Sequence, residues 1–183
     1  MAMTDDMQDV FFTKEELQAI VARLGAQISR DFEGKNLLMI SVLKGSVVFM
    51  ADLMREITIP CRIDFLSAAS YHSKTEAVPE PEVRDILMYD DISMFDILIV
   101  EDILDTGRTL QKLSSYLLRK GAKSVTICTL LDKPARRDPA VTITPTYVGT
   151  TVANEFVVGY GLDFDERYRN LPFIGILKPE IYN

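Results

Sequence analysis

The chain has 183 residues, of which 48% are hydrophobic and 26% charged, and its 27 acidic and 20 basic side chains give a net charge of −7. This length predicts one domain over 1–183 with a sizeable core. The acidic balance argues against a protein that wraps nucleic acid, and no apolar run approaches the roughly 20 residues that span a bilayer, so we expect neither a nucleic acid nor a membrane as partner. Cys61 and Cys128 lie in strand-like segments and are predicted to be reduced core thiols, which favours a cytoplasmic location.

The first elements along the chain are a capped helix and a buried strand. Thr13, followed three residues later by Glu16, forms a capping box, and the apolar residues after it recur at helical spacing. This pattern predicts a helix that ends near Arg30. The apolar run over 36–43 then predicts a buried strand.

A second helix is predicted over 47–55, after a turn at 44–46. Its apolar face is wider than a single core-facing stripe requires. The excess indicates burial on a second side, either against another subunit or within the same chain, and periodicity alone does not distinguish the two.

Strands and helices continue to alternate in the rest of the chain. The residues after Gly107 have the helical period, and Gly121 is placed to end that helix. The polar segment 70–82, which contains two prolines, is predicted to be an exposed loop. Further strands are predicted over 61–66, 83–89, 97–100, 124–131, 147–149, 156–159 and 173–177. This order predicts an α/β fold with a mostly parallel, twisted sheet flanked by helices.

The most informative stretch follows the strand at 97–100. Two acids, Glu101 and Asp102, come directly after its four apolar residues. The loop that then opens the next helix consists of Asp105, Thr106, Gly107, Arg108 and Thr109. A loop at a helix N-terminus directs backbone N–H groups and positive potential at one place, so it predicts an anion site, most plausibly for a phosphate. The alternative is a solvated acidic turn, but two acids at the end of a buried strand are costly without a charged ligand.

This stretch resembles the phosphoribosyl diphosphate signature of the type I phosphoribosyltransferases. The wider chain, from Phe12 to Leu177, resembles the hypoxanthine-guanine branch of that family. The other motifs that carry the resemblance are 43–46, 70–71, 132–133 and 156–163 with Arg169. The resemblance implies the fold of that family, in which the N- and C-terminal segments form a small hood over the sheet.

The implied reaction is the displacement of diphosphate from C1 of phosphoribosyl diphosphate by a ring nitrogen of a 6-oxopurine. Hypoxanthine would give IMP and guanine would give GMP, in purine salvage. The transition state should resemble an oxocarbenium ion, which leaves the protein mainly with positioning and electrostatic stabilisation. The resemblance also implies Mg²⁺ as cofactor and a homodimer or homotetramer.

The resemblance assigns the ribose-5-phosphate half of the site to the central stretch. Glu101 and Asp102 would face the ribose hydroxyls and the associated Mg²⁺. Asp105 would be the general base, near purine N7. The 5′-phosphate would be held by Asp105, Thr106, Gly107, Arg108 and Thr109. The family often has a lysine where Arg108 stands, and both side chains are cationic.

The other half of the site is assigned to residues from several segments. Lys44, Gly45 and Arg169 would bind diphosphate, and in the family the peptide before this lysine can be cis. Lys133 would recognise the 6-oxo group, because an ammonium donates to an oxo acceptor and cannot accept from the amino group of adenine. The remaining purine contacts would be Phe156, which stacks on the base, Val157, through its backbone, and Asp163, which is also assigned as a ligand of a second Mg²⁺.

The loop at 70–82 would supply a lid. Ser70 and Tyr71 fit the start of the family's mobile lid, whereas the glycine-free stretch after Ser73 departs from the family. The only histidine, His72, is expected to lie in this loop and to have no catalytic role. Asp165 and Glu166 are expected to be solvated.

Each assigned residue also has a plainer interpretation. Asp105 fits a helix cap, Lys44 a solvated turn, Lys133 a surface lysine and Phe156 a core aromatic residue, and the side chain of Arg108 has the solvent as an alternative. At the level of function, the rivals are a xanthine-preferring transferase, a non-catalytic regulator that senses phosphoribosyl diphosphate and binds nucleic acid, and a purely structural α/β protein. The acidic charge weighs against the regulator.

Overall fold

A computed structural model of the chain describes residues 3–69 and 82–182. The predicted lid residues Ser70 and Tyr71, together with His72, lie outside the described residues. The helices are α1 (Lys14–Asp31), α2 (Val47–Glu56), α3 (Arg108–Arg119) and α4 (Pro179–Tyr182). The strands are β1 (Met7–Phe12), β2 (Leu37–Leu43), β3 (Cys61–Ala69), β4 (Glu82–Asp85), β5 (Asp96–Leu104), β6 (Ser124–Asp132), β7 (Tyr147–Thr151), β8 (Val157–Val158) and β9 (Ile174–Leu177).

Local signals in the sequence set the ends of the two long helices. Thr13 caps α1: its hydroxyl accepts from the Glu16 N–H at 3.2 Å, and the Glu16 carboxylate accepts from the Thr13 N–H at 2.8 Å. The capping box is therefore formed as predicted. Gly121 follows α3 with φ of +98°, a conformation that glycine adopts without steric cost.

Six strands form the main sheet, in the order β4-β3-β2-β5-β6-β7. All neighbouring pairs are parallel except β3 and β4. The predicted α/β fold, a mostly parallel sheet flanked by helices, is confirmed. No helix in the described ranges is long and apolar enough to cross a membrane.

The period-two alternation of the strands gives the sheet two buried faces. Ile97 and Ile99 of β5 pack with the apolar side of α3, while Leu98 and Val100 pack with α1 and α2. All four side chains have no exposed surface. Burial on both faces explains why β5 is a continuous apolar run rather than an alternating one.

The strand order reverses between β2 and β5, and this reversal prepares the site. From β2 the chain moves outward to β3 and β4, then returns to β5 on the other side of β2 and continues outward to β6 and β7. The pairing between β2 and β5 ends at Ser41 and Val100, although both strands continue. Open α/β sheets bind ligands at such a switch point, beyond the carboxyl ends of the strands.

A second, three-stranded antiparallel sheet combines the two ends of the chain. Its order is β1-β9-β8, with Met7 opposite Leu177 and Val157 opposite Ile176. This sheet is the hood that the family resemblance implies, built from N- and C-terminal segments. The sequence pattern does not predict β1.

The wide apolar face of α2 is largely explained within the chain. Phe49, Met50 and Leu53 are buried in the same core as α1, so the helix packs on α1 as well as on the sheet. Val47 stays 41% exposed at the N-terminal end of α2. Of the two sources of burial that the sequence left open, packing within the chain is the one observed.

Candidate active site

A cavity of about 280 Å³ lies at the switch point of the main sheet. The ends of β2 and β5, the loop before α3 and the hood contribute to it. Its lining includes the following residues assigned from the sequence: Lys44, Gly45, Glu101, Asp102, Asp105, Thr106, Gly107, Thr109, Asp163 and Arg169. Segments more than 120 residues apart in sequence therefore meet around one polar cavity.

Glu101 and Asp102 lie in β5 past the end of its pairing with β2. Asp102 is buried, and its Oδ1 accepts from the Ile103 N–H at 2.8 Å. Glu101 is half-buried, and its Oε2 is buried without a hydrogen-bond partner among the described residues. Burial, with the adjacent Asp102 carboxyl, raises the pKa of Glu101 well above its usual range, and burial also raises the pKa of Asp102. Two such acids favour a cation beside them.

The turn after β2 approaches Asp102 more closely than any side chain would allow. A Cβ added to Gly45 would overlap the Asp102 carboxylate, and a Cβ added to Gly161 would overlap the Gly45 carbonyl oxygen. The peptide between Leu43 and Lys44 is cis. Gly45 therefore lets the bare backbone of this turn pack against Asp102 at the cavity wall.

We expect Gly45→Ala to weaken binding of inorganic diphosphate about tenfold, because the added Cβ displaces Asp102 or the turn. Isothermal titration calorimetry in the presence of Mg²⁺ measures this affinity. Gly34→Ala is the control: Gly34 has φ of +74° and open space around it, so this variant tests backbone strain away from the cavity. Wild-type affinity in Gly45→Ala would contradict the close approach.

The loop before α3 has the form of an anion site. Gly107, with φ of +82°, is the N-cap of α3, and its carbonyl accepts from the Gln111 N–H at 3.0 Å. Thr106 and Thr109 line the cavity together with Gly107. The first N–H groups of α3 lie beside these lining residues and have no intrahelical partners, which suits a phosphate.

Arg108 is the one member of the predicted phosphate loop that does not line the cavity. Its guanidinium is paired with the carboxylate of Asp138. The side chain is therefore directed at the neighbouring loop, in line with the alternative that the sequence left open, and its backbone N–H, 3.5 Å from the Thr106 hydroxyl, stays in the loop.

Two arginines that the sequence analysis did not assign brace Asp105. Arg136 donates through Nε to the Asp105 carboxylate at 3.2 Å, and Arg137 donates to the Asp105 carbonyl at 3.1 Å. Arg137 is also paired with Asp132 at the end of β6. The sequence did contain a signal for these two residues, because both arginines follow the carboxyl end of β6, the strand next to β5.

The hood side of the cavity is a network of cations and acids. Arg169 donates to the Gly161 carbonyl at 2.8 Å and is 2.8 Å from the Asp163 carboxylate. Its buried Nε has no hydrogen-bond partner in the part of the chain that the structure describes. Glu166 lies 2.9 Å from the Lys44 ammonium and 3.3 Å from Arg169. Glu166 is exposed, as expected, and it is also paired with both of these cations.

Asp163 lines the cavity, whereas the other three residues assigned to the purine lie beside it, outside its lining. Lys133 follows β6 and is 9% exposed; its N–H donates to the Leu104 carbonyl at 3.0 Å, and its ammonium donates to the Glu155 carbonyl. Burial lowers the pKa of Lys133. Phe156 is 37% exposed, and its ring stacks on Tyr182 with centroids 4.6 Å apart. The next residue, Val157, is buried in β8.

The site fits a divalent cation that is shared with a ligand. Within 3–69 and 82–182, no three His, Cys, Asp or Glu side chains come together as a metal site of their own. Mg²⁺, however, is commonly held by one or two carboxylates together with substrate phosphates. Glu101, Asp102 and Asp163 offer such carboxylates around the cavity, and the unpartnered Oε2 of Glu101 is free to accept a charged partner.

The fold and the polar cavity at its switch point define a ligand-binding α/β protein with an anion site, and comparison with known proteins gives its family. The profile of the family described as "Phosphoribosyl transferase domain" matches residues 8–165. This chain belongs to that family.

Individual proteins and solved structures are similar to this chain over nearly its whole length. A protein from Staphylococcus aureus named "Hypoxanthine-guanine phosphoribosyltransferase" is 46% identical over 99% of this chain and 99% of its own length. A crystal structure of a hypoxanthine phosphoribosyltransferase from the same organism has a TM-score of 0.91 at 45% identity, covering 99% of this chain and 97% of that one. The hypoxanthine phosphoribosyl transferase of Trypanosoma cruzi is similar with a TM-score of 0.89 at 32% identity, covering 100% and 97%.

Proposed function

We propose that this protein transfers the phosphoribosyl group of phosphoribosyl diphosphate to a 6-oxopurine, making IMP from hypoxanthine and GMP from guanine and releasing diphosphate. This is a reaction of purine salvage. The observation that carries the proposal is the polar cavity at the switch point, which combines a helix-terminal anion loop, a group of carboxylates and a cationic wall. The whole-chain likeness to hypoxanthine-guanine phosphoribosyltransferases supports it.

The ribose-5-phosphate half of the substrate would be held along β5 and the loop after it. The α3 N-terminus with Thr106 and Thr109 suits the 5′-phosphate, and the acids at 101–102 suit the ribose hydroxyls. Lys44, the Gly45 backbone and Arg169 would bind the diphosphate. Because the transition state develops positive charge at C1 of the ribose, fixed carboxylates nearby stabilise it.

The base would lie on the side of Asp105 and Lys133. Asp105 would take the proton that the purine loses as its ring nitrogen bonds to C1 and the bond from C1 to diphosphate breaks. Arg136 and Arg137 hold the carboxylate and the carbonyl of this residue, so its position is fixed before the base arrives. Lys133 would donate to the 6-oxo group.

Phosphoribosyltransferases related to this chain act with a divalent metal. Mg²⁺ is our proposal for the ion, because the available donors are carboxylates. Glu101, Asp102 and Asp163 are the residues that would hold it, and when bound it neutralises charge on the ribose and diphosphate oxygens.

The test is an assay of nucleotide formation from phosphoribosyl diphosphate and Mg²⁺ with hypoxanthine, guanine, xanthine or adenine. We expect IMP and GMP as the main products and no AMP. No product with any base would overturn the proposed enzyme and favour a binding protein. A preference for xanthine or adenine would overturn the assignment of the base pocket.

A homodimer or homotetramer and a cytoplasmic location stay predictions. The buried, unpaired thiol of Cys128 is in keeping with a reducing compartment.

A further inference from the structure

The hood presents a carboxylate to the two cations assigned to diphosphate. One oxygen of Glu166 is 2.9 Å from Lys44 Nζ, and the other is 3.3 Å from Arg169 Nη2. The side chain of Glu166 is 63% exposed, so it is held by these two ion pairs and not by packing. An exposed carboxylate with two cationic partners therefore lies next to two residues of the cavity lining.

Glu166 lies in a tight hairpin turn with an unusual backbone conformation. Phe164 and Arg167 exchange hydrogen bonds of 3.3 and 3.0 Å, which closes a hairpin with Asp165 and Glu166 as its two central residues. Both central residues have positive φ, 51° and 59°, as in a type I′ turn. Such turns strongly favour glycine at the second central position, where this chain has glutamate. A residue with an intrinsic cost at this position indicates a role for its side chain.

A bound diphosphate and the Glu166 carboxylate have the same chemical requirement. Both are anions that accept hydrogen bonds from an ammonium and a guanidinium. A diphosphate that takes the N–H groups of Lys44 and Arg169 now paired with Glu166 must displace its carboxylate from them. Asp163 also contacts Arg169, but it is tied to the hood by accepting from the Glu166 N–H at 2.9 Å.

We propose that Glu166 is a built-in competitor of diphosphate: it pairs with Lys44 and Arg169 in the empty enzyme, yields them to the diphosphate group of the substrate, and takes them back as diphosphate leaves. The inference rests on the proposed function. The residue thus weakens diphosphate binding and keeps the two cations in place between turnovers.

The test measures binding of inorganic diphosphate and of IMP by isothermal titration calorimetry in the presence of Mg²⁺. We expect Glu166→Gln to bind diphosphate about three- to tenfold more tightly than the wild type, the range expected for the loss of one or two exposed ion pairs. IMP binding should stay unchanged, because IMP carries no diphosphate. Glu166→Gly, which suits the positive φ and keeps the turn, should show the same tightening.

Asp165→Asn is the matched control, since Asp165 is the other exposed acid of the turn and pairs with neither cation among the described contacts. It should bind diphosphate like the wild type. Unchanged or weaker binding in the Glu166 variants would overturn the competitor role and indicate a supporting one. If Asp165→Asn binds diphosphate as much more tightly as the Glu166 variants do, the effect comes from net charge and not from the two ion pairs. A wild type that binds neither ligand would overturn the proposed function itself, and with it this inference.

Discussion

Asp105→Asn is expected to lower kcat by about 10²- to 10⁴-fold, the usual contribution of a general base. The substitution keeps the shape of the side chain, and the amide oxygen still accepts from Arg136, as the carboxylate oxygen does at 3.2 Å. The carbonyl contact with Arg137 is also kept. The loop should therefore still bind phosphoribosyl diphosphate, with its dissociation constant within about threefold of the wild type.

Steady-state kinetics with hypoxanthine and calorimetric binding of phosphoribosyl diphosphate together check this prediction. Asp90→Asn, an exposed acid outside the cavity lining, provides the control for loss of one charge. Turnover at the wild-type rate would remove the role of Asp105 as base. Loss of binding together with turnover would instead make Asp105 a structural part of the loop.

Lys133→Gln is expected to lower kcat/KM for hypoxanthine by about 10²-fold, because the base loses a charge-assisted hydrogen bond in a buried setting. The ammonium is 9% exposed and is held by the Glu155 carbonyl, so it is poised next to Phe156 rather than free in solvent. A glutamine offers a carbonyl oxygen as well as an amide donor. We therefore expect the ratio of kcat/KM for hypoxanthine to kcat/KM for adenine to fall in this variant.

Kinetics with hypoxanthine and with adenine measure the change in discrimination. Lys123→Gln is the matched control, since Lys123 is an exposed lysine beside the opposite end of β6, paired with Asp96 at 2.9 Å. We expect Lys123→Gln to leave kcat/KM for hypoxanthine and for adenine unchanged. If Lys133→Gln retains the wild-type preference, base recognition lies elsewhere, and Lys133 only supports the segment at Glu155.

The fold was predictable where the signals are local. The capping box at Thr13 and the glycine at 121 fix helix ends through neighbours a few residues away. Strands β2, β5 and β6 of the main sheet were visible as apolar runs because their side chains are buried on both faces of the sheet. β1 was missed because buried and exposed side chains do not alternate along it: only its first residue, Met7, is buried. Its strand character comes from pairing with β9, at the other end of the chain.

The site was predictable to the extent that one rule applied to it. Residues that follow parallel strands meet at one edge, and this places Lys44, Asp102 and Asp105 together. Side-chain partners within that edge followed no such rule. The direction of Arg108 toward Asp138 and the placement of Glu166 between two cations depend on loop conformations set by distant segments.

The contact between Gly45 and Gly161 carries a consequence for sequence divergence. The turn after β2 meets the segment after β8 through bare backbone, and it meets Asp102 in the same way. A side chain at either glycine forces a second position to move, so neither can change by a single tolerated step. We therefore expect these positions to vary together or not at all among descendants of this chain. New specificities in such a lineage would therefore have to arise at positions other than these two glycines.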